Sequence, residues 1–86
     1  MTDSSAKAVI EAALFAAGRT LSPRELADIS GLSLQMAEEA ARDLAQEYAS
    51  RSSGIEIKSI GDGYSMQVRS MLAGRVLSFA PKEIEA

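Results

Sequence analysis

Side chains able to do covalent or proton-transfer chemistry are few in this 86-residue chain. It contains no Cys and no His. That removes thiolate nucleophiles, imidazole acid–base pairs, Ser-His-Asp triads and the usual zinc ligand sets together. What remains is scattered. Glu38 and Glu39 are adjacent, so on a helix they splay apart instead of converging on one reacting atom. Ser4-Ser5 and Ser52-Ser53 read as a frayed end and a loop. Gly61-Asp62-Gly63 has the composition of a phosphate loop, but it joins two alternating apolar runs and opens no helix, so it reads as a turn. Met36, Met66 and Met71 read as core filler, not as a sulfur ligand set. No titratable groups converge. The sequence therefore predicts a protein that is not an enzyme and that holds neither metal nor cofactor.

Charge points the same way, toward binding. The net charge is −3, but it is unevenly distributed. Residues 1–50 carry four cations against eight acids, net −4, and residues 51–86 five against four, net +1. Hydrophobic residues make up 47% and charged residues 24%, the balance of a globular domain and not of a disordered chain. At this length the expectation is one domain with a marginal core that a partner subunit would help. The apolar runs are too short to span a bilayer and the first residues do not form a signal peptide, which predicts a soluble cytoplasmic domain.

The elements that would position any binding surface follow from periodicity. From Ser5 to about Ala17, Val9, Ile10, Ala13, Leu14 and Ala17 recur at helical spacing, with Gly18 as the stop. Phe15 points away from the centre of that stripe and has no evident core role. After the extended link Arg19-Thr20-Leu21, a second helix opens with Ser22 as N-cap, Pro23 at its first position and Glu25 at its third, a capping box. Leu21 and Leu26 form the accompanying hydrophobic staple. Leu26 and Ile29 are expected to point inward, and Gly31 to end the helix in a left-handed turn. Ala27, four residues before that glycine, lets the next helix cross closely. The third helix runs from Ser33 to about Ser50, with Ala37, Ala40, Ala41, Leu44 and Tyr48 on its apolar side. The period then falls to two. Ile55 and Ile57, and then Tyr64, Met66 and Val68, alternate with polar residues around Gly61-Asp62-Gly63, a β-hairpin with one buried face. A last helix is expected from Ser70 to Phe79, before Pro81.

This order predicts an α+β, mainly helical winged helix-turn-helix: three helices, a β-hairpin wing and a short C-terminal helix. The winged-helix domain covers residues 1–80, and 81–86 begin a linker or tail. Winged helices that read DNA put the third helix into the major groove, where phosphates demand Lys and Arg. Here that helix carries Glu38, Glu39, Asp43 and Glu47 against Arg42 alone. Arg51, Lys58, Arg69 and Arg75 surround the wing, but Glu56 and Asp62 dilute them, and they make no DNA-binding footprint. A DNA-binding transcription regulator is the alternative reading. The acidic third helix counts against it, and no strong or specific DNA binding is expected.

Several stretches resemble the segregation and condensation protein B (ScpB) family. These are Val9-Ile10-Glu11-Ala12-Ala13-Leu14-Phe15-Ala16-Ala17-Gly18, Leu21-Ser22-Pro23-Arg24-Glu25-Leu26-Ala27, Gly54-Ile55-Glu56-Ile57, Gly63-Tyr64 through Arg69, and Phe79-Ala80-Pro81-Lys82-Glu83-Ile84. Their order and spacing carry the likeness more than any one motif. The resemblance implies a non-catalytic subunit of an SMC–kleisin, condensin-like complex, acting in chromosome condensation and segregation at the nucleoid. Members have two winged-helix domains, self-associate and bind the kleisin ScpA. The chain ends where the second such domain would begin, so self-association is the property this stretch is expected to keep.

The residues themselves also predict a homodimer. On the last helix Leu72, Val76 and Phe79 make one stripe, Met71 lies to one side of it, and Ala73 and Leu77 form a second row. A helix so widely apolar is usually buried on more than one side. Phe15, Met71, Leu72, Val76, Leu77 and Phe79 are the candidate interface residues.

Overall fold

The computed structural model describes residues 3–76 and 78, with side chains from Ser5 onward. The chain forms α1 (Asp3–Ala17), α2 (Pro23–Ser30), α3 (Leu34–Ser50), β1 (Ile55–Ile60), β2 (Gly63–Val68) and α4 (Ser70–Val76). Its core is built from Ile10 and Leu14 of α1, Leu21 of the link, Leu26 of α2, Ala37, Ala41, Leu44 and Tyr48 of α3, and Ile57 of β1. The two fully enclosed alanines of α3 allow α1 and α2 to approach it closely. This is the winged helix-turn-helix that the periodicity predicts.

The start of α2 is tied at both ends of its capping box. The Glu25 amide donates to Ser22 Oγ at 3.1 Å, and the Ser22 amide donates to Glu25 Oε1 at 2.9 Å. Arg19, from the link, grips the same carboxylate at 2.9 and 3.3 Å. The Arg19 guanidinium, then the Ser22 amide, pull the Glu25 pKa down to about 2. A depressed carboxylate stabilises the fold above its unfolded pKa, near 4.5, and that contribution is lost as pH falls toward 2. Urea midpoints should therefore drop more steeply between pH 4.5 and 2 in the native chain than in Glu25→Gln. Parallel curves for the two would break the assignment.

Gly31 closes α2 at φ 76° and ψ 11°, its N–H donating to the Ala27 carbonyl at 2.9 Å. A Cβ there would meet nothing within 4 Å, so any substitution cost is backbone strain. Gly31→Val should cost more than about 1 kcal/mol in chemical denaturation, and Gly31→Asn less. A neutral valine would mean the turn is not left-handed.

The wing pairs Ile55 with Val68, Ile57 with Met66 and Ile60 with Gly63. Its loop is Gly61-Asp62, with positive φ at Gly61 alone, as in a type II′ hairpin. The link also joins the sheet. Leu21 donates to the Tyr64 carbonyl at 2.8 Å and accepts from the Tyr64 amide at 3.0 Å. What reads as a connector is a one-residue third strand on the free edge of β2.

Several expectations need correction. Ile29 is 55% exposed, because α2 is short and turns Leu26, Ala27 and Ser30 inward instead. Ala17 is exposed and Ala6 buried, so the buried stripe of α1 starts earlier than the periodicity places it and ends at Leu14. Met36 and Met71 are not core filler: one stands on the first turn of α3 and the other on the outer side of α4. Only Met66 packs against the core. The helix read as Ser70 to Phe79 is described as far as Val76, and none of its residues is buried. Leu77 and Phe79 lie outside the described residues.

Candidate protein-interaction surfaces

The outer side of α3 is acidic, with Glu39, Asp43 and Glu47 exposed and Glu38 half-buried. Arg42 is exposed among them, and Lys7 of α1 reaches across to pair with Glu47.

The four wing cations do different things. The Arg69 guanidinium donates to the Tyr48 carbonyl at 2.6 Å and to the Arg51 carbonyl at 2.9 Å. It thus closes the C-terminus of α3, where helix carbonyls lack intrahelical donors. Arg51 lies over the Tyr48 ring, 4.2 Å from its centroid. Lys58 and Arg75 are exposed. Arg69 is therefore a clamp between wing and helix, a role no spacing rule predicts, because 18 and 21 residues separate the partners.

Two apolar grooves flank α1. The larger, about 630 Å³, lies between α1 and the wing, with Ala8, Ala12 and Phe15 on one wall and Ile55, Met66 and Val68 on the other. It exists because alanines on this side of α1 are too short to fill the space above the sheet. Phe15 stands on its rim, 78% exposed. At its end the Tyr48 hydroxyl donates to the Glu11 carboxylate. That bond, and then burial, push the Tyr48 pKa up. The second groove, about 510 Å³, lies between the end of α1 and α2. Ala13, Ala16, Leu21 and Ile29 line it, and Arg19, Glu25 and Asp28 rim it.

Among the other candidates, Leu72 is half-buried, with its Cδ1 3.7 Å from where a Cβ on Gly54 would lie. Met71 is 82% exposed and Val76 42%. Phe15 and the α4 residues thus belong to separate elements of the described structure. Neither the second groove nor Ile29 is anticipated by the sequence reading. Among the described residues no group of His, Cys, Asp or Glu could hold a metal ion, and no helix is long and apolar enough to cross a membrane.

Comparison with known proteins agrees with this architecture. The profile of the family described as segregation and condensation complex subunit ScpB matches residues 8–86. One similar solved structure is a dimer of a ScpB N-terminal domain complexed with a ScpA peptide; it is 28% identical, covers 93% of each chain and has a TM-score of 0.78. Another is ScpB from Mycobacterium tuberculosis, 22% identical with a TM-score of 0.82. It covers 99% of this chain, which spans 56% of the longer one. No curated protein matches the sequence.

Proposed function

The chain belongs to the ScpB family of segregation and condensation complex subunits, and from that premise we propose that it is a non-catalytic adaptor of an SMC–kleisin complex. It works at the nucleoid in the cytoplasm, forms a homodimer through its winged-helix domain and binds the kleisin ScpA and, through it, SMC. Residues 1–80 form that domain. The observation that carries this reading is open apolar surface on both flanks of α1, with Phe15 and Ile29 exposed among the described residues. The dimer and the ScpA peptide of the 28% identical domain support both partners.

Titration of the chain with a ScpA-derived kleisin peptide, followed by calorimetry and light scattering, tests the proposal. A stoichiometric complex is the expected result, and absence of binding would overturn the kleisin assignment. DNA is the contrasting ligand. With the exposed side of α3 acidic and Arg69 committed to helix carbonyls, duplex affinity at physiological salt should be no tighter than about 10⁻⁴–10⁻⁶ M. Fluorescence anisotropy over a salt series measures it. Nanomolar, sequence-selective binding would make the chain a DNA reader instead of an adaptor.

A further inference from the structure

We infer that Asp62-Gly63, at the tip of the wing, is a site of spontaneous isoaspartate formation, and that the folded wing holds the reaction shut. In that reaction the Gly63 amide nitrogen attacks Cγ of Asp62. A C–N bond forms, a carboxyl oxygen leaves as water, and a five-membered succinimide results. Water then opens the ring. Addition at Cγ restores aspartate. Addition at the main-chain carbonyl of Asp62 breaks that carbon's bond to the Gly63 nitrogen, and the chain then runs through Cβ and Cγ. The product has the mass of the starting chain and carries a free α-carboxylate at residue 62. Water is the only co-reactant.

Elementary chemistry picks out this pair. The attacking nitrogen must be unhindered, and glycine has no side chain beside it. Of the four aspartates only Asp62 precedes a glycine; Asp3 precedes Ser4, Asp28 precedes Ile29 and Asp43 precedes Leu44. Asp28 and Asp43 also lie within α2 and α3, where the helical backbone opposes ring closure. The chain has no Asn, so deamidation makes no such ring elsewhere. Asp62 is exposed and has no hydrogen bond or ion pair among the described residues, which leaves its carboxyl group free to turn.

The fold restrains the nitrogen instead. Opposed residues in an antiparallel pair alternate between hydrogen-bonded and non-bonded. The Arg69 amide donates to the Gly54 carbonyl, and Tyr64 turns its amide and carbonyl outward to Leu21. That phase makes Ile60 and Gly63 a bonded pair in the register. The Gly63 N–H is therefore aimed at the Ile60 carbonyl, not at Asp62. Gly63 is also buried, and a Cβ on it would lie 2.4 Å from the Leu21 carbonyl oxygen, so its backbone has little room to turn. The reaction waits for the wing to open.

Once formed, the product fits the wing badly. Isoaspartate adds one carbon to the main chain of a two-residue loop whose geometry sets the register. Gly63 cannot take up that length toward the link, because the Leu21 backbone already stands there. The pair at the tip is lost, and the bridge at Tyr64 beside it is weakened. The new carboxylate stands at an exposed tip, where a carboxyl methyltransferase that uses S-adenosylmethionine would find it.

Ageing the 86-residue chain at neutral pH, in buffer and in denaturing guanidinium chloride, tests the inference. The aged chain is mapped with trypsin, and each peptide is probed with protein L-isoaspartate methyltransferase and radiolabelled S-adenosylmethionine. Peptide 59–69 should split into two peaks of equal mass, of which one takes the label. That peak should grow at least about 10-fold faster in guanidinium chloride than in buffer, since only open wings react. Asp62→Glu should give none, because glutamate would need a six-membered ring. After refolding, the aged wild type should have a lower urea midpoint than Asp62→Glu aged beside it. No labelled 59–69 peak in guanidinium chloride overturns the site. Equal growth in the two solvents overturns the protection by the wing, and equal midpoints overturn the misfit of the product.

Discussion

Gly63→Ala should destabilise the protein by about 3 kcal/mol, near the upper end of what overpacking costs. A Cβ at residue 63 would lie 2.4 Å from the Leu21 carbonyl oxygen, 2.9 Å from Thr20 Cγ2 and 3.1 Å from the Leu21 carbonyl carbon. The obstruction is mainly backbone, which no change of rotamer relieves. Nor can the link withdraw cheaply. Leu21 exchanges two hydrogen bonds with Tyr64, and its side chain is buried in the same core cluster as Leu26. Relief would mean breaking that bridge or lifting the staple leucine out of its site. For a domain whose total stability is of order 5–15 kcal/mol, the loss is large. Urea unfolding should show the midpoint falling with the slope unchanged. Gly74→Ala is the internal control. Its Cβ would meet nothing within 4 Å, and in a helix alanine is favoured over glycine by up to about 1 kcal/mol. Equal midpoints for Gly63→Ala and wild type would mean that the link and β2 are not joined.

Arg69→Ala is the second large effect, with an expected cost of about 2 kcal/mol. The side chain makes two charge-assisted bonds to carbonyls at the end of α3, and its backbone N–H donates to the Gly54 carbonyl at 2.8 Å. Bonds to charged groups contribute about 1.5–3 kcal/mol each. The total is lower than two of them because Arg69 Nε is buried without a partner, and that desolvation is relieved in the variant. Arg69→Lys should recover part of the loss, since both bonds leave the single Nη2 atom and an ammonium keeps the charge and the donors but not the reach of the guanidinium. Hydrogen exchange gives the local readout: amides in the last turn of α3 and in β2 should lose protection together. Loss confined to the wing would show that the clamp does not hold the helix end.

These two residues also mark where sequence reading stops. Gly63 reads as one of two turn glycines, and only Gly61 has the positive φ that a turn demands. The requirement at 63 comes from a chain segment more than forty positions away, and local pattern carries no record of it. Arg69 likewise reads as one of four wing cations until the hairpin folds back against α3.

By itself the sequence determines whatever rests on near neighbours. The capping box at Ser22 and Glu25, the left-handed stop at Gly31, the alternation around Gly61-Asp62 and the acidic side of α3 all follow from side-chain chemistry within a turn or two of the backbone. The absence of Cys and His settles which chemistries are closed to the chain. Phe15, off its helical stripe, is also legible as a residue without a place in the core. The tertiary structure decides which apolar residues stay outside. Ile29 falls on the inward side by period alone, yet it is exposed, because burial depends on how much surface the neighbouring helix presents. The groove beneath Phe15 exists for the same reason. Alanines on α1 face a sheet they cannot reach, and a gap between two elements belongs to neither of their sequences.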